Sequence, residues 1–254
     1  MERSEHMTQR RADFEPFTRN RFYYGKLMDV HQFDLETHYA NHKRWMINHL
    51  VFGSGVVCGL NVLPGKCPDQ VIVSAGVAFD KRGREVVVPS AQTLVLPPEV
   101  MQRAHDQCGE RQTPCVRIEL CYHECPGDPE PVYAGDCSCA PPCEAGTIRE
   151  RFCLEVKEGG APPVHIKCRM SQVVADGMIN YPALVQWLAG KGCPTVAPDP
   201  CIVLANVHLS GGEKGHSCRQ EDIDIAVRHI VFTNRLLAEL LPCILEWESG
   251  ADSD

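Results

Sequence analysis

The sequence contains no run of apolar residues close to the roughly 18 that a membrane-spanning helix needs. Its first part, Met1 to Thr18, mixes charged and polar side chains and has no apolar stretch, which is unlike a secretory signal peptide. No Asn-x-Ser/Thr sequon for N-glycosylation occurs anywhere. From these absences we expect a cytoplasmic protein without direct insertion into a membrane.

Basic residues are outnumbered as well. The chain has 25 Lys and Arg against 33 Asp and Glu, a formal net charge of -8. A general nucleic-acid binder needs a basic surface that displaces counterions, so we expect no nucleic acid among the partners. Hydrophobic residues make up 44% of the 254 positions, which is enough for a substantial core and argues against wholesale disorder.

Cysteine is absent before Cys58 and abundant after it. The chain has 15 cysteines, an odd number, so complete internal pairing is impossible. In a reducing compartment, cysteines are more often metal ligands or small buried apolar residues than disulfides. The densest group lies between Cys121 and Cys153. Much of it, residues 123–147, is rich in Pro and Gly and predicts a loop without regular structure.

The best candidate ligands in this group are Cys125, Cys137, Cys139 and Cys143, with Cys121 in reserve. A sulfur-rich set favours zinc or an iron–sulfur centre, and a bound ion would order a loop that has little apolar surface. The spacing is not that of the paired Cys-x2-Cys motifs of zinc ribbons. Two alternatives therefore stay open, namely disulfides formed on oxidation and cysteines without any bond. We expect a structural zinc.

Catalytic motifs are weak. His38 and His42 have helical spacing but no third ligand, so a helix surface explains them better than a metal site. Pro142-Cys143 is followed by Gly146 where the deaminase signature needs a cysteine. Phosphate-binding, nucleophile-elbow and metalloprotease motifs are missing. We expect no enzyme, and the alternatives are a zinc- or thiol-dependent enzyme and a small-ligand or carbohydrate-binding module.

Periodicity of apolar residues predicts an α+β protein: an N-terminal helical arm, a central antiparallel β-sandwich or barrel, and a C-terminal helix. The first helix is expected to begin at Asp34 as N-cap and to stop at Gly53. Strands are expected over Val71–Asp80 and Arg84–Val88, joined by a hairpin turn, and over Val116–Tyr122 and Ile202–Leu209. Three regions follow: 1–55, the arm and helix; 56–175, the β domain with the Cys-rich loop 121–153; and 176–254, an α/β segment that ends in a helix and an acidic tail.

Several segments also share the pattern of one protein family. They are Arg21–Met28, Asn48–Leu60, Val77–Pro89, Arg228–Asn234, and a Cys-rich insert closed by Cys143-Glu144 and Ile148-Arg149-Glu150. In these segments the chain resembles structural and accessory proteins encoded with contractile, phage-tail-like injection systems. The resembling segments span most of the chain.

This resemblance implies a structural part of such a particle, at the baseplate, at the cap or as an adaptor, which works by assembly rather than catalysis. It implies other tail, sheath or baseplate proteins as partners, and we expect a homo-oligomer, because symmetric rings are the natural assembly of such particles. As part of a particle the protein would also be released or membrane-associated. No catalytic residues carry over from the resemblance.

Overall fold

The computed structural model describes residues 16–107, 114–132, 143–165, 172–175, 178–209 and 218–241. It combines helices with antiparallel sheets, so the α+β prediction is confirmed, including the N-terminal and C-terminal helices. Among the described strands no sheet closes into a barrel.

Four helices lie in the described ranges. They are α1 (Val30–Ile47), α2 (Pro98–Gln107), α3 (Tyr181–Lys191) and α4 (234–241), with a π-helical turn at Asn48–Phe52 and a 3-10 turn at Gln220–Asp222. Within these ranges, no helix has both the length and the hydropathy needed to span a bilayer. The helix α2 has no counterpart among the sequence predictions.

The N-cap of the first helix lies five residues before the predicted one, so the assignment of Asp34 was wrong. Asp29 caps α1 instead, because its side chain accepts a hydrogen bond from the His31 N–H, at 2.9 Å. The side chain of Gln32 accepts from the Asp29 N–H in return, which completes a capping box. The predicted stop at Gly53 agrees with the structure, where this glycine has φ +77° directly after the π-helical turn.

The strands form three larger sheets and one small hairpin, each of them antiparallel. The first sheet has the strand order β1 (Gly55–Gly59), β4 (Gly76–Phe79), β5 (Glu85–Val88), and the second has the order β2 (Val62–Pro64), β3 (Gln70–Val73), β6 (Gln92–Val95). The third sheet has the order β12 (Ile223–Asp224), β11 (Ile202–His208), β7 (Cys115–Pro131), β8 (Cys143–Glu158). The small hairpin pairs β9 (Val174–Ala175) with β10 (Met178–Ile179).

The expected strand over 71–80 is divided in the structure. It breaks at Ser74 and Ala75, and its two halves, β3 and β4, join different sheets. The hairpin between β4 and β5 is confirmed. Its turn is held by the buried Asp80, whose side chain accepts from the backbone N–H groups of Arg82 and Arg84, both at 2.8 Å.

One core joins the three larger sheets. Its fully buried members come from all of them; the largest are Leu60, Leu96, Ile118, Leu120 and Leu204, followed by Val62, Val71, Val73, Val86, Val88, Val116 and Val207. Burying this many branched side chains supplies the main stabilising term of the fold. The third sheet contributes β7 and β11 to this core, so the predicted segment 176–254 shares a sheet with the central β region.

The strands β7 and β8 extend far beyond the core. Past Cys121, within the described chain, β7 pairs with β8 alone, through to Pro131 opposite Cys143. Ten residues at about 3.3 Å each give a two-stranded ribbon of roughly 33 Å. The expectation of a loop over residues 123–147 was therefore wrong for its described part. Pro126 is tolerated because even-numbered residues of β7 direct their backbone groups toward the edge that has no partner along the ribbon. Pro129 and Pro131 face β8 near the end of the pairing, where each leaves out one bond of the ladder.

The C-terminal segment returns to the first sheet. Val56 donates its N–H to the carbonyl of His229, and Val231 donates to the carbonyl of Val56, both at 2.9 Å. Arg228 donates its Nε–H to the carbonyl of Leu204 at 2.9 Å and an Nη1–H to that of Leu60 at 3.0 Å. These bonds fix the base of α4 to the body of the protein.

Candidate functional site

Two of the four cysteines predicted as zinc ligands, Cys125 and Cys143, lie on the ribbon. Cys125 on β7 lies opposite Arg149, whereas Cys143 begins β8 opposite Pro131. The two free thiols are thus six ladder positions apart, about 20 Å along the ribbon. One ion does not reach both in this arrangement. Cys137 and Cys139 lie outside the described residues.

The reserve ligand Cys121 takes part in a disulfide instead. Its partner is Cys201, which continues the register of β11 by one residue, and the two Cα atoms are 4.5 Å apart. Both residues are buried. A disulfide sulfur has no thiolate charge to offer a metal ion, so Cys121 is not a ligand while this bond is closed.

A buried ionic network adjoins this disulfide on the same face of the sheet. Glu119, 3% exposed, accepts from Nε of Arg117 at 2.7 Å and forms an ion pair with Nζ of Lys157. Arg117 also donates to the backbone carbonyl of Glu158 at 2.7 Å. The buried carboxylate therefore has two cations as partners, which offsets the cost of removing it from water.

Lys157 connects Glu119 with a second carboxylate. Its ammonium lies 3.8 Å from Asp199, and its hydrogen bond to Glu119 raises the pKa of the lysine. Burial acts to raise the pKa of Asp199, but the bond from the Cys201 N–H and the positive charge of Lys157 outweigh it, so this pKa is lowered. Both charges are stabilised at neutral pH by the same arrangement.

Glu119, Asp199 and Cys201 could together hold a metal ion, because one ligand atom from each lies within 4.8 Å of the others. Two features compete with that use in the present arrangement. The sulfur of Cys201 is committed to the disulfide, and the ammonium of Lys157 already supplies the positive charge between the carboxylates. With the disulfide closed, the carboxylates of Glu119 and Asp199 bind the ammonium of Lys157 in place of a metal ion.

A third cysteine completes a row across the sheet. Cys153 on β8 lies directly opposite Cys121, on the side away from Cys201. It is a free, exposed thiol. Directly opposed residues on antiparallel strands point to the same face, so the side chains of Cys201, Cys121 and Cys153 stand side by side on three neighbouring strands.

The base of the ribbon is supported from the opposite face. The guanidinium of Arg84 lies 4.3 Å from the centre of the Tyr122 ring and pairs with Asp80 at 2.7 Å. Burial raises the pKa of Tyr122, and its hydroxyl donates to Glu124. The β4–β5 hairpin therefore packs under the point where the ribbon leaves the core.

Sequence reasoning placed Cys121 and Cys153 in the dense cysteine group but missed Cys201, which is 80 positions from its partner. The available signal was the pair of predicted strands over 116–122 and 202–209. Antiparallel pairing of those strands brings the end of the first next to the start of the second, but a shift of one residue in the pairing would separate the two cysteines. The register of the sheet, which the sequence does not state, is what joins them.

Comparison with protein-family models gives no match for this chain, and comparison with curated protein sequences gives none either.

Proposed function

We propose that this protein is a structural or adaptor component of a contractile, phage-tail-like injection particle, and that it works by assembly with neighbouring subunits. The sequence resemblance supports the particle, and one structural observation supports assembly. This observation is the N-terminal arm, residues 16–52, whose large apolar side chains are left exposed by the rest of the described chain.

The helix α1 has no buried residue along its 18 positions. The arm around it exposes large apolar side chains, and Tyr24 and Leu27 are 105% and 86% exposed. The full set is Phe22, Tyr23, Tyr24, Leu27, Val30, Phe33, Ile47, Leu50, Val51 and Phe52. They form two groups, residues 22–33 around the start of α1 and residues 47–52 at its end. Single exposed apolar residues are ordinary, whereas groups of this size are typical of a protein–protein contact.

The arm is ordered before any partner binds. Asn20, which is nearly buried, accepts from Lys26 Nζ at 2.7 Å, donates its amide to the Gln32 carbonyl at 2.8 Å and donates its N–H to Glu36 at 2.9 Å. The segment before α1 is thereby folded back along the helix. Little conformational entropy remains to be lost on docking, which favours affinity.

The arm is also fixed at its far end. The side-chain amide of the buried Asn48 donates to the carbonyl of Gly83 and to the carboxylate of Glu85, both at 2.8 Å. Arg44 pairs with Glu85 at 3.0 Å. A helix of 18 residues is about 27 Å long, so the arm presents its aromatic residues at a defined distance from the sheets.

The test is co-purification of the full chain with the sheath, tube and baseplate proteins of such a particle, using particles isolated by sedimentation. We expect the wild-type chain in the particle fraction and the double variant Tyr24→Ser, Leu27→Ser outside it. The matched control is Val87→Ser, which removes an exposed apolar residue on β5 outside the arm. This control is expected to remain with the particle.

Light scattering on the purified chain supplies the second readout. We expect the wild type to self-associate and the arm variant to be monomeric. A wild-type chain that is a stable monomer and never sediments with the particle proteins would contradict the proposal.

We also propose that the cysteine-rich region binds a structural zinc ion. With the ribbon paired as described, an ion held by Cys137 and Cys139 takes Cys125 or Cys143 as a further ligand, not both. Metal analysis of anaerobically purified protein is expected to give about one equivalent of zinc, lost in Cys139→Ser and kept in the control Cys193→Ser. Less than about half an equivalent in the wild type would exclude this clip.

A further inference from the structure

The row Cys201, Cys121 and Cys153 has a geometry suited to thiol–disulfide exchange. Exchange proceeds by attack of a thiolate on one sulfur of a disulfide, with the other sulfur as leaving group. Cys121 occupies the middle strand, and its neighbours approach from opposite sides. A thiolate on Cys153 therefore faces the Cys121 sulfur from the side away from Cys201, which is the direction required for displacement.

Backbone hydrogen bonds show that the pair Cys121 and Cys201 differs in geometry from the pair Cys121 and Cys153. Gly159 donates to the carbonyl of Cys115 at 2.9 Å, so odd-numbered residues of β7 direct their backbone groups toward β8. Leu209 donates to the carbonyl of Pro114 at 2.8 Å, so even-numbered residues direct theirs toward β11. Cys121 is consequently in a hydrogen-bonded pair on the β8 side and in a non-hydrogen-bonded pair on the β11 side.

These two pair types have different separations. Non-hydrogen-bonded pairs bring Cα atoms to about 4.5 Å, whereas hydrogen-bonded pairs keep them about 5.5 Å apart, with their Cβ atoms correspondingly wider. The observed 4.5 Å between Cys121 and Cys201 matches the closer type. A disulfide needs Cβ atoms within about 4.5 Å, so the resting bond belongs between Cys121 and Cys201. A bond between Cys121 and Cys153 is suited to a short-lived intermediate.

We propose that these three cysteines form an exchange relay, in which the exposed Cys153 thiol transfers oxidation and reduction between external thiols or disulfides and the buried Cys121–Cys201 bond. Cys121 and Cys201 are 6% and 8% exposed, so an external thiolate has little access to either sulfur. Cys153 is accessible and lies next to Cys121. The relay explains how a buried bond can respond to the medium without unfolding of the sheet.

In the oxidising direction, the Cys153 thiolate attacks a low-molecular-weight disulfide, and a mixed disulfide forms while one small thiolate leaves. The Cys121 thiolate then attacks the Cys153 sulfur and releases the second small thiolate. Finally the Cys201 thiolate attacks the Cys121 sulfur and regenerates the Cys153 thiolate. Two protein thiols lose two electrons and two protons, and one small disulfide becomes two thiols. Reduction is the reverse sequence.

The bond lies where the four-stranded sheet becomes the two-stranded ribbon. Ile202 opposite Leu120 is the last backbone pair between β11 and β7, and the disulfide comes directly after it. Closing the bond fixes the base of the ribbon to the sheet, and opening it removes the only covalent link there among the described residues. The relay thus makes the attachment of the ribbon dependent on the redox state of the medium.

The test measures the rate at which dithiothreitol opens the Cys121–Cys201 bond in the native full chain. Protein oxidised with glutathione disulfide is reduced for set times, quenched in acid, alkylated and analysed by peptide mass spectrometry. We expect Cys153→Ser to open more than about tenfold more slowly than wild type, because the intramolecular route is lost. The control Cys58→Ser removes another exposed thiol and is expected to open at the wild-type rate.

Equal rates in Cys153→Ser and wild type would overturn the relay, as would failure of glutathione disulfide to form the Cys121–Cys201 bond in the folded wild type. A second variant tests the intermediate directly. In Cys201→Ser the last step is blocked, so oxidation is expected to accumulate a Cys121–Cys153 bond. Recovery of glutathione on Cys153 with Cys121 still a free thiol would contradict the proposed transfer. In guanidinium the rates of wild type and Cys153→Ser are expected to converge, since burial no longer protects the bond.

Discussion

A glycine of the arm, Gly25, and a glycine of the β4–β5 turn, Gly83, have almost the same backbone conformation but different surroundings. Gly25 and Gly83 have φ values of +80° and +84°, which L side chains rarely adopt. A Cβ on Gly25 would meet nothing within 4 Å, whereas a Cβ on Gly83 would collide with the carbonyl oxygen of Trp45. Gly83 therefore serves two needs, the left-handed turn of the hairpin and the close approach of the last turns of α1.

Gly25→Ala and Gly83→Ala separate these two needs. We expect Gly25→Ala to lower the free energy of unfolding by about 1 kcal/mol, through backbone strain alone. Gly83→Ala carries the same strain plus the collision, so its loss should be larger by about 1–3 kcal/mol. Urea denaturation at matched m values measures both. Equal losses would mean that α1 shifts away from the hairpin at no cost.

At the scale of strands, the ionic network across β7, β8 and the approach to β11 gives a pH dependence with a defined sign. The bond to Glu119 raises the pKa of Lys157, so the folded protein holds this proton more tightly than the unfolded chain. The stabilisation is complete below the unfolded lysine pKa of about 10.4 and is lost as the pH rises through the higher folded value.

We therefore expect the urea midpoint of wild type to fall more steeply above about pH 10 than that of Lys157→Met. The loss in the free energy of unfolding over this pH range should be larger in the protein with Lys157 by on the order of 1 kcal/mol, because a third of the lysine side chain is exposed to screening solvent. The two proteins are compared in a Cys153→Ser background, which removes the free thiol opposite Cys121. The raised pKa of Tyr122 acts in the same range but is common to both, so it cancels. Parallel curves would contradict a folded-state bond between Lys157 and Glu119.

The elements also show what sequence reasoning can reach. Apolar alternation predicted the core face of β7 and the β4–β5 hairpin, because both are local patterns that burial enforces. The ribbon was missed because the prolines and glycines of residues 123–147 predict a loop, although β7 accepts Pro126 at its free edge and Pro129 and Pro131 near the end of its pairing. Of the candidate site, the sequence indicated only Cys121 and Cys153, as members of a dense local group of cysteines, whereas Cys201 and Lys157 reach it only through strand register.

At the scale of the whole molecule, the two proposals rest on different parts of the structure. The arm projects an uncovered apolar surface near one end of the chain, and the ribbon base contains the disulfide row. The pairs of Arg44 connect these parts, since its guanidinium lies 3.0 Å from Glu85 and 3.9 Å from Glu150 on β8. Such exposed pairs are weak, so loss of assembly and loss of the exchange relay should be separable by mutation.

The side chain of Arg228 reinforces the backbone pairing that joins the C-terminal segment to the rest of the fold. Arg228 donates to the carbonyls of Leu204 on β11 and Leu60 after β1, the second of which is 168 positions away. Burial lowers the pKa of Arg228, but an arginine stays charged at neutral pH. The guanidinium thus offers charged donors to two backbone groups that water hardly reaches, and it does so next to the bridge between Val56 and Ile230.

Arg228→Met keeps much of the side-chain volume and removes these donors. We expect the free energy of unfolding to fall by about 2–3 kcal/mol, because two carbonyls lose charge-assisted bonds. Chymotrypsin should also cut faster after Phe232, since the base of α4 is no longer fastened. The control Arg235→Met removes an arginine that is 89% exposed and pairs only with Glu239 among the described contacts, and it should change stability by less than about 0.5 kcal/mol. If both variants unfolded at the same urea concentration, Arg228 would not reinforce the link between the two ends of the chain. The attachment would then rest on the backbone bridge alone.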